Sequence, residues 1–122
     1  MGARMEDVIL DNVLFERCKL DYSTLTGVRA AGPVIFSQCS LRETTFTTTD
    51  LGRALFDACN LRQAEFDGGR YRGLDLRGND LSQLRGIASL KQVIIERAQT
   101  LQLAEALAAE LDVTYGEDLD DA

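Results

Sequence analysis

Large apolar side chains fall on every fifth residue along most of the chain: Met5, Leu10, Phe15, Leu20, Leu25 and Ala30, then, after one interruption, Phe36, Leu41, Phe46, Leu51, Phe56, Leu61, Phe66, Tyr71, Leu76 and Leu81. All five Phe residues lie on this one register. A helix repeats near 3.6 and a strand at 2, so a period of five fits neither element alone. Two residues before nearly all of these positions stands a small or apolar residue, as in Val8, Val13, Cys18, Val34, Cys39, Ala54, Cys59 and Ala64. From Gly86 the period dissolves, and Leu101, Ala104, Leu107, Ala108 and Leu111 form one helical stripe. That spacing predicts a helix over 97–111 with the stripe turned inward.

Self-similarity at a fixed period is the mark of a repeat architecture. The register, with Asp50, Asn60, Asp75 and Asp80 just before central Leu residues and Ala54 and Ala64 two before, resembles the pentapeptide-repeat family. The resemblance covers residues 3–86. It implies an all-β solenoid, a right-handed quadrilateral β-helix of about four coils with four pentapeptides per coil. The central residue and the one two before it then point inward, and the other three outward. Ser89 and Leu90 match the element that leads to a C-terminal helical cap in many such proteins. The expected organisation is therefore a β-helix over 3–86, a capping segment over 87–112 and a disordered acidic tail over 113–122.

Four repeats per coil place residues 20 apart one above another, at the strand spacing of about 4.8 Å. The ladder Leu20, Leu41, Leu61, Leu81 opens with an interval of 21. One extra residue must be absorbed, and Ala30–Ala31–Gly32–Pro33 supplies the Gly and the only Pro of the chain for a corner bulge. The same arithmetic stacks Cys18, Cys39 and Cys59 beneath Asn79 in an inward column, read as a small apolar ladder rather than a redox or metal column, since in-register side chains point the same way. Tyr71 is accommodated by Gly69, which has no side chain.

Composition narrows the functional classes. Three Cys and no His fit neither a disulfide framework nor a tetrahedral zinc site, and remove the commonest general base. No catalytic, cofactor-binding or metal-binding residues are assigned, and an enzyme is not expected. No apolar run is long enough to cross a membrane, which predicts a cytoplasmic protein. The net charge of −7 is uneven: residues 87–122 carry 2 Lys/Arg and 8 Asp/Glu, leaving 11 and 12 for residues 1–86, a net of −1.

Sorted by side, the outward residues give four walls. One carries Arg29, Arg53, Arg70 and Arg72; one is rich in Thr; one has balanced charge. The fourth stacks Leu14, Ile35 and Leu55, an apolar stripe that would mark a partner or dimer surface unless a corner turns one inward or the C-terminal segment folds over them. The expected function is a non-catalytic protein-binding or scaffold module, working as a homodimer whose flat walls pair stripe to stripe, with no direct contact to nucleic acid or membrane. The alternative, implied by the resemblance, is a DNA mimic that binds DNA gyrase and protects against quinolones; the near-neutral coils weigh against it. No lid precedes Ala3, so either a partner covers that end or the chain is part of a longer one.

Overall fold

The computed structural model describes residues 2–119. Short strands, all paired in parallel, form two sheets. In one, β1 (Arg4–Glu6), β4 (Thr24–Thr26), β7 (Thr45–Asp50) and β9 (Glu65–Arg70) stack on successive turns, and β2 (Ile9–Leu10) and β5 (Arg29–Ala30) join through the far end of β7. In the other, β3 (Val13–Glu16), β6 (Val34–Ser37) and β8 (Ala54–Asp57) stack in register. The result is a parallel β-solenoid in which each pentapeptide is one side of a turn.

The corners explain how extended segments of so few residues can turn. Asp7, Asn12, Arg17, Tyr22, Gly27, Gln38, Glu43 and Thr48 all have positive φ, and they follow the central apolar residue by two. One left-handed residue in most repeats redirects the chain. The extra residue falls where expected: Leu10 pairs with Ala30, 20 apart, while Val13 pairs with Val34, 21 apart, so it lies between Ala30 and Val34.

Burial follows the two inward positions of each repeat. Phe36, Leu41, Phe46, Leu51, Phe56 and Phe66 are completely enclosed. Stacking at the strand spacing brings Phe15 over Phe36 with centroids 4.8 Å apart and Phe46 over Phe66 at 4.8 Å, while Phe56 meets Phe36 edge-on at 4.9 Å. Such pairs add about 0.5–1.5 kcal/mol each beyond area burial. Tyr71 is buried beside Gly69, its hydroxyl donating to the Gly68 carbonyl at 2.7 Å and lying 2.9 Å from the Thr49 hydroxyl. A Cβ on Gly69, whose φ is +105°, would sit 2.2 Å from the Thr49 carbonyl oxygen and 2.9 Å from the Tyr71 hydroxyl.

The continuous strands complete about three turns, from Arg4 to Arg70, against the about four expected. The next turn keeps the stacking through single bridges, Leu55 to Asp75 and Glu65 to Arg85. Nor does the coil end at Gly86. Asp75 pairs with Ile94, 19 residues on, so one residue is lost around a 3₁₀ turn at Ile87–Ser89 and the register moves onto Leu90 and Ile95, which pack on the core.

A 3₁₀ turn, Arg97–Gln99, leads into α1 (Thr100–Glu110), which lies over the last turn. Its orientation is opposite to the expected one. Ala106, 2% exposed, and Leu103 face the coil, while Leu101, Leu107 and Leu111 face solvent. The physical reason is that the coil end presents backbone donors as well as apolar interior. The Gln102 side chain accepts from the Leu81 N–H at 3.0 Å, and the Glu110 carboxylate accepts from Gly86 and Ile87. An apolar face would have left those groups unpaired. Of the tail expected to be disordered over 113–122, residues 120–122 lie outside the described residues, and Gly116–Leu119 form one exposed helical turn, α2, with Glu117 and Asp118 in its first turn, where negative charge is favoured. No helix among the described residues is long and apolar enough to cross a membrane.

Candidate functional site: the apolar wall stripe

Leu14, Ile35 and Leu55 are brought together as the sequence predicts. Leu14 pairs with Ile35 in β3–β6, and Ile35 with Leu55 in β6–β8. All three occupy outward positions between inward neighbours. Leu14 is 57% exposed, Ile35 37%, and Leu55 half-buried. None is turned inward by its corner, and α1 packs on the coil end rather than on this wall.

One turn further the same column reaches Asp75, then Ile94, which is exposed. Asp75 ends the apolar run by gripping Arg77 through paired bonds of 3.0 and 2.7 Å, which hold its carboxyl below the ordinary Asp range. Sequence reasoning missed Ile94 because the 19-residue turn shifts it off the five-residue register. It also missed a second apolar surface, the outer face of α1 with Leu101, Leu107 and Leu111, continued by exposed Val113, Tyr115 and Leu119. The signal was present in Gln99, Gln102 and Glu110, which form the alternative polar stripe of the same helix.

The Cys column has a role more specific than filling space. The Cys39 thiol donates to the Phe15 carbonyl at 3.2 Å and the Cys59 thiol to the Phe36 carbonyl at 3.1 Å. The Asn79 amide donates to Phe56 at 2.8 Å, and Gln99 to Leu76 at 2.9 Å. Each rung thus satisfies a carbonyl one turn below. Burial pushes the Cys59 thiol up to about 11 and raises Cys39 as well, which keeps both thiols protonated and unreactive at neutral pH. Cys18, Cys39 and Cys59 are all free.

The other walls hold charges in ordinary surface arrangements. Asp21 accepts from the Ser40 hydroxyl at 2.6 Å and from the Arg42 N–H at 2.9 Å; burial alone would raise its pKa, and these bonds with the Arg42 charge bring it below the ordinary Asp value. A depression of about 480 Å³ lies between α1 and the last turn, and its one carboxylate, Glu110, is occupied as the cap of Gly86 and Ile87. Among the described residues no three His, Cys, Asp or Glu side chains gather as a metal site.

These features define a class, a parallel β-solenoid that offers walls rather than a cleft. A family model described as a pentapeptide repeat region matches residues 8–99, and the chain belongs to the pentapeptide-repeat family. The match runs beyond Gly86, in agreement with the coil that continues to Ile95. No curated protein matches the chain.

Proposed function

We propose that this chain is a non-catalytic protein-binding scaffold that docks a protein partner along the stripe of Leu14, Ile35 and Leu55. The observation that carries the reading is the strand pairing itself, which holds three outward apolar side chains in one column on a wall that needs no ordering before it binds. Preorganisation lowers the cost of association, and each side chain buried contributes about 1.5–3 kcal/mol before that cost. Three reduced thiols suit the cytoplasm. A DNA mimic directed at gyrase would ask for acidic walls; Arg29, Arg53, Arg70 and Arg72 stand among the acids here, which makes that the weaker reading.

The test is a photoreactive residue placed at Ile35 or, on the opposite wall, at Thr47, with cross-linking in extract of the source cells. An adduct that forms from Ile35 only, and is competed by excess native protein but not by the variant with Leu14, Ile35 and Leu55 changed to Thr, supports the stripe. Equal yield from both walls, or none from either, refutes it.

A further inference from the structure

The two ends of the solenoid are unlike. The last turn is closed by α1, whose side chains accept its free N–H groups, whereas nothing among the described residues lies beneath the first turn. Met5, Phe15 and Leu20 are only half-buried, while their counterparts one turn up, Leu25, Phe36 and Leu41, are fully buried. These side chains line a shallow apolar cavity that opens at the end of the coil.

The backbone there is unpaired in a regular way. The Ala3, Val8 and Cys18 carbonyls and the Asp7, Arg17 and Leu20 N–H groups bond upward to the second turn. In a parallel ladder the residues between them, Arg4, Glu6, Ile9, Glu16 and Lys19, direct both backbone groups the other way, out of the open end. We propose that this open first turn docks a second copy of the chain, head to head, by antiparallel strand pairing.

The register follows from geometry. The end of a solenoid is a ramp that climbs one strand spacing, about 4.8 Å, per turn. Two identical ramps related by a two-fold axis keep a constant gap only if the axis passes through mid-ramp. The first turn spans Ala3–Tyr22, so its midpoint lies between Asn12 and Val13, and residue i faces residue 25 − i of the other copy, since 3 + 22 = 25. The central inward residues then meet one another: Met5 meets Leu20 of the second copy, and Leu10 meets Phe15.

The same register sets Arg4 opposite Asp21 and Glu6 opposite Lys19, each pair occurring twice by symmetry. No like charges face one another, because Ile9 faces Glu16, Asp11 faces Leu14 and Val8 faces Arg17. Ile9, 61% exposed in the single chain, comes diagonal to Leu14 of the other copy. Arg4, Glu6 and Lys19 are among those whose backbone groups point out of the end, so the Glu6–Lys19 pair also exchanges both of its N–H···O=C bonds. The interface is isologous and removes the exposed sheet edges. It shares only Leu14 with the stripe.

Sedimentation equilibrium of the full chain tests this. The native protein is expected to dimerise, and Lys19→Glu or Glu6→Lys alone to raise the dissociation constant at least about tenfold by setting like charges opposite one another. Combining the two swaps the charges and is expected to return the constant to within about threefold of native. Far-UV circular dichroism checks that each variant is folded. A native chain that stays monomeric at millimolar concentration, single reversals without effect, or a double variant no tighter than the singles each overturn the proposal. Ile35→Thr with Leu55→Thr lies away from this end, and it leaves the dimer intact while removing the wall contact, so the two readings fail separately.

Discussion

Asn79→Leu strikes the polar column where it passes from thiols to amides. The native side chain accepts from the Cys59 N–H at 2.8 Å and donates to the Phe56 carbonyl at 2.8 Å, with further bonds to the Leu76 and Arg77 carbonyls at 3.0 and 3.2 Å. Leu76 keeps a donor in Gln99, and Arg77 is near the surface. Leucine keeps the branching and the number of heavy atoms of the side chain, though its methyl groups are bulkier, and the Cys59 N–H and the Phe56 carbonyl are left buried without partners. At about 1–3 kcal/mol for each orphaned group, the variant loses about 2–6 kcal/mol. Cys59→Ala removes only a weak thiol donor from the Phe36 carbonyl and is expected to cost about 1 kcal/mol. Urea unfolding gives the total. Repeat arrays can open in parts, so amide hydrogen exchange at Cys59 is the sharper probe. Its protection is expected to fall in Asn79→Leu more than that of Leu41, a turn below. A variant as stable as the native chain, with the Cys59 amide still protected, would refute the column as a hydrogen-bond ladder.

Two further perturbations read the other parts of the fold. Cys39 and Cys59, buried and held protonated, are expected to react with a thiol reagent far more slowly than Cys18, and to become fast only in denaturant; rapid labelling of Cys59 in buffer at pH 8 contradicts both its burial and its raised pKa. For the cap, Gln102→Ala with Glu110→Ala is expected to lower stability by about 1–3 kcal/mol, since three backbone donors lose their acceptors, whereas Leu101→Ser with Leu107→Ser stays within about 0.5 kcal/mol of native in the monomer. The opposite ranking in thermal melts would restore the apolar stripe as the buried face.

The body of the fold was legible because a period of five leaves few solutions. A residue that must fill the interior at every side recurs as Leu or Phe whatever its neighbours, and the bulge at Ala31–Pro33 announced itself as a change of interval. The errors began where that constraint weakened. At Gly86 one residue drops out, so the inward positions move to Leu90 and Ile95 while the old register reads Gly86, Lys91 and Glu96; a rule applied at fixed phase sees the repeat vanish when it has only slipped. The helix was misoriented for a deeper reason. Hydrophobic periodicity asks which face is greasiest, but the end of a β-solenoid is a ring of N–H and C=O groups around an apolar centre, and the face that fits it carries Gln99, Gln102 and Glu110 around Ala106 and Leu103. The same logic bears on the other end. A coil end closed with acceptors for its donors is stable alone, and the first turn, which has unpaired donors and acceptors alternating around its rim, is satisfied by a surface that alternates in the same way. Another copy of that rim, turned over, is such a surface.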